Sequence, residues 1–515
     1  MANKTIRQRL GAAAILMTAG VLASRILGYV RDAVVAAQHG ASATTDVYFA
    51  SFTLPDLMSY MLAGGALYIT FLPMFSKYIH NDDEAGGWVC FSVIATTMGT
   101  ILAVLTLLIW LAAPWLLPPI LPGFSESQLE QTISLTRIVL PAQLFFYLGG
   151  LMGATVLARE RFLEAALAPL VYNLLIILGG LALGPWLGIA GFSWGALAGA
   201  ALGPFGLMYF AAKKRGMRFT PKWSLSDPDL RRFVMLSLPV MVGFSLVSVD
   251  EWISRYYASS MEAGAISWIQ NARRLMLVPV SVLGQAAGQA TLPFLARLHA
   301  EGKTREAGNV LSDALRIVIF ATLAASVWMA LTSDAIIGLF FERGLFTAAD
   351  TAASASALVL FSIGIVAWSV QAMATRGFYA MQDTWTPMLL STLVTGAAIV
   401  VYWYLGQVMG FRGLALATSI GMGITGLVTL LALQRRMALQ LGALTLCFVR
   451  SLLAAGLAGA AAWWCLSFIA NQGYFVRLTG GSLVFGVVLA GLATLFKIPE
   501  WQDIVSRIKR RKSAR

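Results

Sequence analysis

Charge is what this 515-residue chain has least of: 12% of its residues are Asp, Glu, Lys or Arg, half the ~25% of a soluble domain. With 58% hydrophobic residues and a mean hydropathy of +0.75, so few charges could not cover a water-facing surface, which excludes a soluble globular fold. Histidine is scarcer still. His39, His80 and His299 stand alone near predicted loops, so no histidine-based metal site is expected. The three cysteines, Cys90, Cys447 and Cys465, lie in apolar segments without metal-ligand spacing and read as inert buried thiols. There is no Walker loop, so the chain itself does not hydrolyse ATP, and no carboxylate pair stands out as catalytic. The chain reads as a non-enzyme without a cofactor.

What it has in quantity is long uncharged runs. Residues 91–125 carry no charge, 162–212 carry only Glu164 ahead of Lys213, and 413–434 are again charge-free. Each reaches the 18 or more residues needed to cross ~30 Å of hydrocarbon. Lys4, Arg7 and Arg9 precede an apolar run that is too long for a cleavable signal and contains two arginines. Fourteen spans account for the pattern, beginning near residues 10, 45, 88, 130, 163, 187, 227, 267, 306, 350, 386, 411, 445 and 474. The fold class expected is an all-α polytopic membrane protein.

The formal net charge of +13 does not point to nucleic acid, because the basic residues occupy short loops and chain ends rather than a soluble face. With fourteen spans, 26 of the Lys and Arg fall in loops on one side, and only Arg343, Arg412 and Arg477 fall in loops on the other. One missing helix would invert every later loop, so the bias supports the count and places both termini in the cytoplasm.

The chain also repeats itself. Thr70-Phe71-Leu72-Pro73-Met74-Phe75 reads like Ala290-Thr291-Leu292-Pro293-Phe294-Leu295, and Ala41 to Phe49 parallels Met261 to Ile269, both at an offset of 220. Gly149 to Ala165 lies opposite Gln371 to Pro387 at 222. Two halves of like topology, six spans each, are a known plan for transporters. This gives a first lobe over 1–222, a second over 223–440, and two tail helices with a basic end over 441–515.

Eight arginines remain at or near membrane depth: Arg25, Arg31, Arg137, Arg255, Arg273, Arg274, Arg316 and Arg376. An arginine at a helix centre costs ~2.5–3.5 kcal/mol on insertion scales. Arg137, Arg316 and Arg376 could snorkel to an interface. Arg25, Arg31, Arg255, Arg273 and Arg274 cluster instead in the first, seventh and eighth spans, which open the two halves. Arg25 and Arg31 are separated by ~9 Å of helix axis and could face one cavity. Two readings stand: an internal salt-bridge network, with Asp32, Asp46, Asp250 and Glu251 as partners, or a wet, positive cavity whose guanidinium forks suit phosphate oxygens. A coupling cation on Asp250 or Glu251 is a weaker expectation. Pro55, Pro73, Pro279 and Pro293, with Gly64-Gly65, Gly284 and Gly288, interrupt the second and eighth spans and suit bending helices; close packing of small residues suits Gly288 equally.

At Ser24-Arg25-Ile26-Leu27-Gly28-Tyr29-Val30-Arg31-Asp32 the sequence resembles the MurJ (MviN) family of lipid II flippases, within the multidrug and oligosaccharidyl-lipid exporter superfamily. The resemblance continues at Thr45-Asp46-Val47-Tyr48-Phe49-Ala50, Leu54-Pro55-Asp56-Leu57, Ile266-Ser267-Trp268, Arg274-Leu275-Met276 and Phe346-Thr347 with Asp350-Thr351. Gly377-Phe378-Tyr379-Ala380-Met381-Gln382-Asp383-Thr384 with Thr386-Pro387 is the strongest later match. It implies fourteen helices in two six-helix lobes plus two tail helices that offer a groove for a lipid tail. It further implies movement of undecaprenyl-pyrophosphate-linked peptidoglycan precursor from the cytoplasmic to the outer leaflet of the inner membrane; coupling to the membrane potential or a monovalent cation is a separate expectation. Arg25, Arg31 and Arg274 match family cavity residues, Asp46 matches a family acid, and Arg255 matches an arginine before an Ala-Ser pair. Lipid II or a similar polyprenyl-pyrophosphate glycan, membrane lipids and cell-wall synthesis proteins are the implied partners. The second span carries Ser59, Tyr60 and Ala63-Gly64-Gly65-Ala66 where members commonly place arginine and glutamate. Another polyprenyl-linked oligosaccharide as cargo, or a non-transporting scaffold of wall synthesis, are the alternative readings.

Overall fold

The structure, a computed structural model, describes residues 2–62, 70–247, 249–502 and 506; Gly64-Gly65 and the basic residues from Arg507 onward lie outside them. Among the described residues there is no strand. Eleven helices among the described residues are long and apolar enough to cross a membrane, and the spans read near residues 10, 45 and 227 fall on the remaining segments. The chain is an all-α multi-pass membrane protein.

The first compact unit is Met1–Gly264. It opens with α1 (Ala2–His39), followed by α2 (Ala43–Ser51), α3 (Thr53–Leu62) and α4 (Leu72–His80), which together trace the second span. Then come α5 (Glu84–Ile120), α6 (Glu126–Val139), α7 (Ala142–Leu157), α8 (Leu163–Leu187) and α9 (Ala190–Ala200). A π-helical stretch, Ala201–Leu207, carries Pro204 and leads into α10 (Met208–Lys213); α11 (Pro228–Val247) and α12 (Val249–Ala258) close the unit. Local sequence sets the helix ends. Asp83 caps α5 by accepting the Gly86 amide at 2.9 Å, and Ser125 with Gln128 forms a capping box on α6. The unit's core is aromatic around Phe71, Phe75, Trp88, Phe91 and Phe233.

The second unit, Ala265–Arg515, runs through α13 (Ala265–Pro279), a π-helical stretch Val280–Gln285, α14 (Ala286–Ala300), α15 (Thr304–Leu331) and α16 (Ser333–Phe341). It continues with α17 (Ala348–Ala380), α18 (Trp385–Met409), α19 (Phe411–Gln434), α20 (Leu441–Phe468) and α21 (Tyr474–Leu495). The tail helices α20 and α21 pack on each other and on α15, where Trp328 Nε1 donates to Ser482 Oγ at 2.9 Å. Exposed Trp403, Trp463 and Trp464 are the amphipathic rings that favour a membrane interface.

Four helices of the first unit recur in the second. Helices beginning at Glu84, Glu126, Leu163 and Ala190 recur at Thr304, Ala348, Trp385 and Phe411, displaced by 220 to 222 residues. The turns recur as well. Asp82 and Gly302, Glu160 and Gln382, and Gly188 and Gly410 all hold positive φ at that spacing. Gly188 and Gly410 share φ near +57° and ψ near −140°, a backbone open to glycine and to little else.

By contacts the seventh span, α11–α12, lies with the first unit, Met1–Gly264, whereas the lobes read from the repeat divide at residue 222. The boundary read from sequence followed the repeat; the boundary read from contacts follows α11, which packs on α3 and α5. Close approaches recur within each unit. A methyl at Gly413 would stand 1.9 Å from the Leu405 carbonyl oxygen, whereas one at Gly396 meets nothing within 4 Å. Gly413→Ala is therefore expected to lower the melting temperature of the detergent-solubilised protein, by about 1–3 kcal/mol of overpacking. Gly396→Ala should leave it unchanged or raise it.

Candidate functional site

Within the first unit, Arg31 is the best-positioned of the predicted arginines. Its Nε donates to Asp32 Oδ1 at 3.0 Å and its Nη1 to Asn173 Oδ1 at 3.0 Å. Asn173, buried on α8, donates in turn through Nδ2 to Ser24 Oγ at 3.3 Å and to the Pro169 carbonyl at 3.1 Å. The α1–α8 contact that carries this network is closed by Gly20, where a Cβ would sit 2.7 Å from Ala166 Cβ. Two of the three guanidinium nitrogens are thus fixed by the fold, and Nη2 makes no hydrogen bond among the described residues. An arginine oriented by neighbours and still able to donate is suited to an oxyanion. Asn173→Ala should cost about 1–2 kcal/mol by leaving a half-buried donor without its acceptor, read as a lower melting temperature with Arg31 intact.

Arg25 lies on the exposed side of α1, with Val21, Leu22 and Ile26 exposed beside it. Asp32 is buried and pairs with Arg31. Asp46, also buried, accepts the Gly264 amide at 2.7 Å through Oδ2.

Arg255 on α12 is different. Its Nη2 lies 2.6 Å from Glu251 Oε1 and 3.4 Å from Asp56 Oδ2, and its Nη1 donates to Thr53 Oγ1 at 3.0 Å. Glu251 sits four residues earlier on the same helix face; Asp250, one position away, projects ~100° round the helix and is half-buried. Arg255 is 5% exposed and held by two carboxylates, which makes it a fastening between α12 and α3. Further polar contacts fasten the seventh span to the second: Tyr78 donates to Asp229 at 2.6 Å, and the Thr70 and Ser237 hydroxyls meet at 3.0 Å.

In the second unit the double arginine splits. Adjacent helical residues point ~100° apart: Arg273 is buried, its guanidinium carbon 5.8 Å from the Trp368 ring of α17, whereas Arg274 is partly exposed. Trp268 Nε1 donates to Asp350 Oδ1 at 3.1 Å, and Asp350 also caps α17 in a box with Thr347. The family-like residues Trp268, Thr347 and Asp350 therefore form one structural joint. Gly284 and Gly288 mark close approaches to α17: Cβ atoms there would lie 2.7 Å from Ser369 and 3.1 Å from Arg376 Cγ.

Of the arginines expected to snorkel, Arg316 binds Glu500 at 2.6 Å, Arg137 donates to the Trp110 carbonyl at 3.1 Å, and Arg376 lies over Tyr379. Sequence reasoning missed Asn173 as the Arg31 acceptor, and missed Asp56 and Thr53 as partners of Arg255. A lone amide in the apolar α8 was the available signal for Asn173, because a buried amide demands partners. No group of three His, Cys, Asp or Glu residues suited to a metal occurs among the described residues.

The model of the lipid II flippase MurJ family matches residues 35–488. The chain is 28% identical over 431 residues to the probable lipid II flippase MurJ of Rhizobium tropici, covering 82% of this chain and 80% of that protein. It is 27% identical over 479 residues to the probable lipid II flippase MurJ of Vibrio cholerae, covering 90% of each. Among solved structures, a lipid II flippase MurJ in an inward closed conformation superposes with a TM-score of 0.79 at 23% identity, over 95% of this chain and all of that one. The helices repeated at a 220-to-222-residue spacing, the two tail helices and the arginine-bearing first, seventh and eighth spans thus fall within one group: this chain belongs to the MurJ family of lipid II flippases.

Proposed function

We propose that the chain translocates lipid II from the cytoplasmic to the periplasmic leaflet of the bacterial inner membrane by alternating access. The observation that carries this reading is the family match across residues 35–488; the local chemistry supports it. Lipid II bears a pyrophosphate, and Arg31 offers a preset guanidinium with donor capacity left over. Arg25 and Arg274, both at least partly exposed, join it in binding the phosphates. Arg255 and Arg273 are buried and act as positioning residues. The bias of 26 basic loop residues against three supports cytoplasmic termini. An inside-negative potential assists export of the anionic headgroup by ~2.3 kcal/mol per charge per 100 mV.

Cells depleted of their own lipid II flippase test the cargo. Expression of this chain is expected to restore growth, and Arg274→Ala at equal membrane abundance to fail. Normal growth with Arg274→Ala would remove that residue from the binding set. Failure of the wild-type chain, together with rescue of a strain lacking export of another polyprenyl-linked glycan, would overturn lipid II as cargo.

A further inference from the structure

Arg137 stands outside the site above. On α5, Pro114 follows Trp110 by four residues; proline has no N–H, so the Trp110 carbonyl has no i+4 amide in its own helix. Arg137 Nε supplies the missing donor at 3.1 Å, and the guanidinium stacks 4.4 Å from the Trp110 ring centroid. This double anchorage fixes the guanidinium plane and occupies only Nε; neither Nη nitrogen carries a hydrogen bond among the described residues. Arg137 lines a surface-opening cavity of about 590 Å³, walled by Trp110 of α5, by Glu130, Ser134 and Arg137 of α6, and by Trp194 and Leu197 of α9.

The α6 residues fall at i, i+4 and i+7, one stripe on one helix face. Glu130 is exposed and makes no ion pair among the described residues. The two opposite charges are thus set about two turns apart, ~10 Å of helix axis, a gap that both long side chains shorten. Glu130 is nearer the 121–125 turn and Arg137 further into the span. The positive-inside bias puts that turn on the extracytoplasmic side, so from water inward the order is carboxylate, then guanidinium. An aminophospholipid of that leaflet has the complementary order, with its ammonium outward and its phosphate nearer the hydrocarbon. Trp110 and Trp194, with exposed Trp115 and Trp186 close by in sequence, supply the ring chemistry of the headgroup level.

We propose that this cavity binds the headgroup of a phosphatidylethanolamine-type lipid, with Arg137 Nη groups on the phosphate and Glu130 on the ammonium. The Glu130 carboxylate disfavours purely anionic lipids and gives the site its preference.

Native mass spectrometry of the full-length protein, equilibrated with equal amounts of phosphatidylethanolamine and phosphatidylglycerol, tests this. The wild-type chain is expected to retain one phosphatidylethanolamine at least fivefold in preference to phosphatidylglycerol. Glu130→Gln should erase the preference, and Arg137→Ala should weaken retention of both lipids at least tenfold. Because Arg137→Ala also strips the Trp110 carbonyl of its donor and can unfold the protein, Ser134→Trp serves as a second variant. It fills the cavity with that bond intact and should displace the lipid equally well. Wild-type retention by the Ser134→Trp chain, or an unaltered preference in Glu130→Gln, would overturn the proposal. Displacement of the bound lipid by equimolar undecaprenyl phosphate would also overturn it, by assigning the cavity to a prenyl cargo. The readout is lipid retention, so failure here leaves the transport reading standing, and failure of transport leaves this one.

Discussion

An Arg31→Ala chain, which takes the ion-pair partner from the buried Asp32, is expected to insert in reduced amounts and, per inserted molecule, to move lipid II tenfold to a hundredfold more slowly. Charge-assisted hydrogen bonds contribute about 1.5–3 kcal/mol, which converts to that range of rates. The argument for Arg31 over its neighbours is geometric. Asp32 and Asn173 hold two of its nitrogens at 3.0 Å each, so orientation is set before cargo arrives and little side-chain entropy is lost on binding. Arg31→Lys is expected to behave almost as poorly as Arg31→Ala. A single ammonium cannot span the carboxylate and the amide and also present a fork to phosphate. The check is a transport rate per inserted molecule for both variants; near-normal transport by Arg31→Lys would show that bare charge suffices.

Arg255→Ala is expected to do something else: reduce the amount of folded protein. Removing one partner of a buried ion pair costs about 3–5 kcal/mol because the surviving charge stays buried. Asp56 and Glu251 keep some contact with solvent, with 35% and 22% of their side chains exposed, so the lower end, about 3 kcal/mol, is expected. The triple variant Arg255→Ala, Glu251→Gln, Asp56→Asn removes the stranded charges and should recover much of the loss. Melting curves in detergent compare them directly. An Arg255→Ala chain that melts with the wild type and fails only in transport would place Arg255 among the cargo-binding residues.

Span number and repeat were legible in the sequence because each rests on composition along the chain. Uncharged runs, loop lysines and arginines, and the 220-residue offset need no knowledge of contacts. The arginines were legible too, because charge in an apolar segment is costly and calls for a reason. Their roles were not. A span-level reading cannot tell that Glu251 meets Arg255, since that depends on helix phase, or that Arg273 is buried against Trp368 while Arg274 is partly exposed. Nor does the sequence announce long-range partners such as Asn173, 142 residues from Arg31. The division at Gly264 was hidden for the same reason: repeat symmetry follows descent along the chain, whereas packing follows the polar contacts of α11 and α12 with the second span.

The most direct measurement is lipid II movement in proteoliposomes that contain only this purified chain, with wild type, Arg31→Ala and Arg31→Lys inserted at equal density. The account predicts rapid lipid II equilibration between leaflets with the wild type, and near-background rates with both variants. Equal rates for all three chains would contradict it, as would a wild-type rate no faster than protein-free vesicles.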